Sequence, residues 1–188
     1  VGFLLVRDND LAAGILLLEQ ALAQAQRADD PVEAAACCAY LAQAYCWSAA
    51  FERSWEVSLL RETYTRACPQ PHQQSYVYTW LAFLSVLRGA WGEAEAYLAL
   101  AEPAVTCVVS LEPRAFFQQV RGFLAFQQSD YRQAERELRA GIDIFRGQDP
   151  SELLLCLGLF GLALAANGKH REARACIAEQ ESLGETLA

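Results

Sequence analysis

Leu11, Phe51, Trp91 and Tyr131 stand 40 residues apart, and His170 follows 39 residues after Tyr131. Three residues beyond each of these anchors the chain carries a small residue: Gly14, Ser54, Ala94, Ala134 and Ala173. Nine residues before each anchor it carries another: Gly2, Ala42, Ala82, Gly122 and Gly161. Twenty before, proline occurs at Pro31, Pro71 and Pro150; the fourth such position is Leu111, with Pro113 two residues later. A fixed period with aligned small, bulky and proline positions is the mark of a solenoid, in which each unit packs only on its neighbours.

Each aligned feature has a physical role. Proline fits the first turn of a helix, where its missing N–H has no partner to lose. Asp30 and Asp149, each directly before a proline, can accept hydrogen bonds from the free N–H groups of that turn. Small residues let two helix backbones approach closely. Inside the units, apolar residues recur at helical spacing, as in Phe116, Phe117, Val120, Phe123 and Leu124, or Tyr131, Ala134, Leu138, Ile142 and Phe145. The pattern predicts helices over 1–7, 10–27, 31–48, 51–67, 71–88, 91–103, 111–128, 131–146, 150–167 and 169–184. Residues 104–110 read as a helix end plus a loop. The fold class expected is all-α, a right-handed superhelix of tandem antiparallel hairpins. The domain organisation expected is one repeat domain over 1–188, with a partial first repeat at 1–27 and units near 30–67, 70–104, 110–147 and 149–184. Gly2 at a first-helix small position, with Val1 opening the chain, marks the sequence as a piece of a larger protein.

Composition narrows the function. Acidic residues outnumber basic ones 23 to 15, for a net charge of −8. Phosphate backbones reward clustered Lys and Arg, so direct nucleic-acid binding is not expected. The longest apolar run, Leu153 to Ala166, falls short of the roughly 20 residues a membrane span needs. Seven cysteines, an odd number without Cys-x-x-Cys spacing, read as free and mostly buried thiols in a reducing compartment, hence a cytoplasmic protein. No His/Cys cluster has metal-ligand spacing.

The second-helix segments Trp91-Gly92-Glu93-Ala94-Glu95-Ala96-Tyr97-Leu98 and Tyr131-Arg132-Gln133-Ala134-Glu135-Arg136-Glu137-Leu138 resemble the tetratricopeptide repeat pattern. The resemblance covers nearly the whole chain. It departs in the longer period and in the first-helix aromatic, which is Tyr78 in one unit but Cys38, Gln118 and Leu157 in the others. Long, degenerate units of this kind are similar to the helical-repeat region of large LuxR-type bacterial transcriptional regulators with an ATP-binding module.

The resemblance implies that first-helix residues line the concave face. The matching positions include Trp47, Tyr76, Phe83, Val86, Phe116, Phe123 and Phe126, which form either a groove for a ligand or peptide or part of the core between hairpins. It also implies no carboxylate clamp, since the matching positions hold Gln43, Phe83, Phe123 and Leu162, with Trp47, Leu87, Gln127 and Ala166 beside them. Catalysis finds little support. His72 and His170 fall near helix starts in non-adjacent units, adjacent Cys37 and Cys38 diverge by about 100° on a helix, and Glu93/Glu95 and Glu135/Glu137 read as solvated faces.

The function expected is a non-catalytic protein-interaction and regulatory module of a multidomain signalling or transcriptional regulator. Its partner is then a protein or peptide, which includes other domains of the same chain. The alternative is an effector-sensing domain that takes a small apolar ligand or peptide in the groove. No cofactor is expected, and exposed array ends allow a homo-oligomer.

Overall fold

The computed structural model describes residues 10–147 and 149–187. Among them are nine helices and no strand: α1 (Leu11–Arg27), α2 (Pro31–Trp47), α3 (Phe51–Ala67), α4 (Pro71–Leu87), α5 (Trp91–Cys107), α6 (Glu112–Gln127), α7 (Tyr131–Phe145), α8 (Pro150–Ala166) and α9 (His170–Leu187). Helices α2 and α3, α4 and α5, α6 and α7, and α8 and α9 pack as hairpins. Successive hairpins meet mainly through α3 on α4, α4 on α6 and α7 on α8, and α1 covers α2.

The local chemistry repeats with the hairpins. Asp30 Oδ1 accepts from the backbone N–H of Val32 and Glu33, and Asp149 Oδ1 from Ser151 and Glu152, so both prolines enter their helices beneath an aspartate cap. Each hairpin turns through one residue in the left-handed region: Ala49 (φ 58), Gly89 (φ 73), Ser129 (φ 64) and Gly168 (φ 76). The residue after each closes the same turn by donating to a carbonyl five back, Ala50 to Tyr45, Ala90 to Ser85, Asp130 to Ala125 and Lys169 to Leu164.

The aligned small positions are the hairpin contacts. Ser54, Ala82, Ala94 and Ala134 are wholly buried, Ala42 and Ala173 nearly so, and Gly14, Gly122 and Gly161 are buried with them. Gly2 and the predicted helix over 1–7 lie outside the described residues. The core falls into three apolar clusters, one between α1 and α2, one around α4 to α6 and one around α7 to α9. Between the first two runs α3, whose buried stripe is polar: Ser54, Ser58, Arg61 and Thr65 at helical spacing.

Two expectations bear on these helices. First, the helix end plus loop read at 104–110 is borne out: α5 continues through Pro103 to Cys107, and 108–111 form the connection. Proline removes one donor, yet Ala99 and Pro103 both face solvent, where water can satisfy the freed carbonyl. Buried Ala104 and Val105 keep the final turn docked. Second, Glu135 and Glu137 are not a solvated face. Glu135 takes Lys169 Nζ at 2.7 Å and Arg139 at 3.1 Å, and Glu137 pairs with Arg121 at 3.3 Å.

Candidate binding cavity

The inner face of α4 repeats aromatic residues at helical spacing, Tyr76, Trp80 and Phe83, because its opposite face carries Val77, Tyr78, Leu81 and Leu84 into the core. Helix α6 sets Phe116 and Phe123 alongside. The rings form one ladder: Tyr76 on Phe116 (6.3 Å), Phe116 beside Trp80 (6.0 Å), Trp80 beside Phe83 (5.5 Å) and Phe83 beside Phe123 (6.1 Å). His72 meets Tyr76 edge-on at 5.1 Å. All these rings except His72, which is exposed, are half-buried.

At one end the ladder becomes the wall of a cavity of about 450 Å³. Ala36, Ala39, Tyr40 and Gln43 of α2 form one side, and Arg61 of α3 and His72, Gln73, Tyr76 and Trp80 of α4 continue it. Phe116 with Glu112 of α6, Phe145 of α7, and Asp149 with Glu152 at the start of α8 complete it.

The polar groups of this cavity are perturbed by burial. Desolvation holds the Arg61 guanidinium down to about 10, still cationic at neutral pH. Arg61 Nη2 donates to Gln73 Oε1 at 3.0 Å, while its Nε has no partner among the described residues. Burial, then the neighbouring Asp149 charge, pushes the Glu152 carboxyl up to about 7 against a hydrogen bond from Gln119 that favours the anion. Tyr76 is raised by burial and by its hydrogen bond to Glu112. Trp80 Nε1 is likewise buried without a partner among the described residues.

The seven groove residues expected from the sequence separate into five groups. Tyr76 and Phe116 line the cavity. Phe83 and Phe123 extend the ladder beyond it. Phe126 lies farther along α6, tilted against Tyr131 at 5.5 Å. Trp47 is exposed at the end of α2 and outside the ladder, and Val86 is only 3% exposed within the core, where no groove-bound molecule reaches it. Val86 departs from expectation because it packs into the apolar cluster around α4 to α6.

Sequence reasoning missed Trp80 and Glu152, and it missed Arg61 because it confined the groove to first helices. A signal existed. Arg61 occupies the repeat position that holds Ala101 and Gly141 in the next two units. Both of those are buried, and a Cβ on Gly141 would lie 3.2 Å from the Ala115 carbonyl. The last unit holds Gln180 there, so among these counterparts Arg61 alone is charged, which stands out once the units are aligned.

Burial lifts the Cys38 thiol to about 12, so it stays protonated at neutral pH. Among the described residues no cluster of three His, Cys, Asp or Glu could hold a metal ion, and no helix is long and apolar enough to cross a membrane.

The chain superposes on repeat proteins of known structure. BtubC (BKLC) from P. vanneervenii matches with a TM-score of 0.72 at 18% identity, over 99% of this chain and 78% of that one. The fold is a TPR-like repeat superhelix. A Podosopora anserina putative kinesin light chain with nearly identical TPR-like repeats agrees in two structures. One gives a TM-score of 0.68 at 16% identity and the other 0.66 at 15%, each over 99% of this chain and 92% of that one. No protein-family model and no curated protein matches the sequence. At such identities the likeness of the TPR-like superhelix is one of fold.

Proposed function

We propose that this superhelix is a non-catalytic interaction module that holds a protein or peptide segment along its concave face. The observation that carries the reading is the ring ladder from Tyr76 to Phe123, half-buried yet open on one side, since aromatic groups in a concave wall are the usual anchors of recognition. Peptides selected from a displayed random library test it. Binders should compete with one another and lose affinity in Phe123→Glu, which charges the ladder at a half-buried site. Selection that yields no binder, or binders indifferent to this substitution, counts against the reading.

A second reading is favoured by the enclosure of the Arg61 end. A cavity of about 450 Å³ falls in the roughly 300–1,000 Å³ range of small-molecule sites. In this reading the module senses a small effector.

The setting we propose for either is a single repeat domain within a cytoplasmic LuxR-type regulator, acting on other domains of its parent chain without touching nucleic acid itself. Support comes from the long period and the Ala-, Arg- and Leu-rich hairpins. Co-expression with the neighbouring segments of the parent chain should yield a complex; failure to associate with any of them argues against it.

A further inference from the structure

We infer that the cavity at Arg61 binds a small organic monocarboxylate, with the carboxylate on the guanidinium and the apolar body against Tyr76, Trp80 and Phe116. The proposal rests on the second reading above and gives its effector a chemical class.

Arg61 is 8% exposed and, among the described residues, makes no ion pair. A guanidinium has five donors in a planar fork. Here one donates to Gln73, itself a wall residue, and Nε is left without a partner among the described residues. A buried cation without a counterion is costly, and a carboxylate supplies both the charge and the two-pronged acceptor that the fork fits. The same repeat position holds Ala101, Gly141 and Gln180 in the later units, so Arg61 is the one charged residue among these four. Trp80 Nε1, on the same wall, is a second such donor.

The far side of the cavity limits the ligand to one negative charge. Glu112 and Asp149 gather there at the starts of α6 and α8 with Glu152, whose carboxyl ionises only near 7, and a second anionic group facing them is repelled. The ring walls between the two sides leave an apolar body as the remaining requirement.

Calorimetric titration and thermal shift on the whole chain test this with four probes: benzoate, hexanoate, benzamide and terephthalate. Benzoate or hexanoate should bind and raise the melting temperature. Benzamide, with the shape but not the charge, and terephthalate, with a second carboxylate, should each bind about ten-fold weaker or worse. Arg61→Gln should weaken the monocarboxylate by about ten-fold or more, and Ala39→Phe, which fills the cavity from α2 and leaves Arg61 in place, should block it. If Arg61→Gln does not fold, the benzoate–benzamide comparison and Ala39→Phe decide. Benzamide binding as tightly as benzoate, or terephthalate binding as tightly, overturns the proposal while the small-effector reading stands. No binding by any probe to the unaltered chain overturns both.

Discussion

A Cβ placed on Gly122 would sit 2.5 Å from Cγ of Leu138, a side chain with no exposed surface. Helices α6 and α7 therefore touch at a point with no room for one more carbon. Gly122→Leu should lower stability by about 1–3 kcal/mol, and Gly122→Ala should also destabilise, although alanine is ordinarily the better helix former. Gly161 is the control. It occupies the same repeat position, but its nearest neighbours lie 3.8 Å away, so Gly161→Ala should be neutral or stabilise by up to about 1 kcal/mol. Urea midpoints of both variants check the contrast, and a gain at Gly122 refutes it.

The four hairpin turns differ in how well their residues suit them. Ala49 and Ser129 hold positive φ with side chains that resist it, while Gly89 and Gly168 hold it freely. Left-handed backbone costs a residue with a Cβ about 1–2 kcal/mol, partly offset by the larger entropy that glycine loses on folding. On that balance Ala49→Gly and Ser129→Gly should each add about 0.5–1 kcal/mol. Gly89→Ala, with open space around its would-be Cβ, should lose a similar amount through backbone conformation alone. Thermal melts of the three variants are sufficient.

Glu152 makes stability depend on pH near neutrality. Its folded pKa of about 7 lies above its ordinary value of 4.5, so the fold favours the protonated form. The stabilisation is complete below about 4.5 and is lost as pH rises through about 7. The groups that set it are Asp149 on its own helix start and Glu112 and Gln119 of α6. Denaturation of the unaltered chain and Glu152→Gln at about pH 4 and about pH 8, either side of that window, should show the unaltered chain losing ground to the variant at the higher pH. Equal differences at both pH values would rule out the burial of this carboxyl.

Arg61 should be dispensable for folding. Replacing an unpaired buried cation by an apolar side chain of similar length removes a desolvation cost, so Arg61→Met should leave stability unchanged or raise it by about 1 kcal/mol or more. A marked fall in melting temperature would identify Arg61 as a structural residue.

The repeat, the hairpins and their close contacts were legible in the chain because they are local and periodic. A proline after an aspartate, a small residue nine before an anchor and a stripe at 3.6 spacing need only neighbours a few turns away. The end of α5 was legible only as a helix end plus loop within 104–110; that the helix runs to Cys107 depends on Ala104 and Val105 docking its last turn. The cavity was beyond local rules. It joins α2, α3, α4, α6, α7 and α8, so its polar ends, Arg61 and Glu152, come together only through the stacking of the hairpins. Helical periodicity states which way a side chain leaves its own helix. Which side chains then share a cavity, and how far their charges shift in it, depends on the packing of helices distant in sequence, and that was decided by the tertiary structure alone.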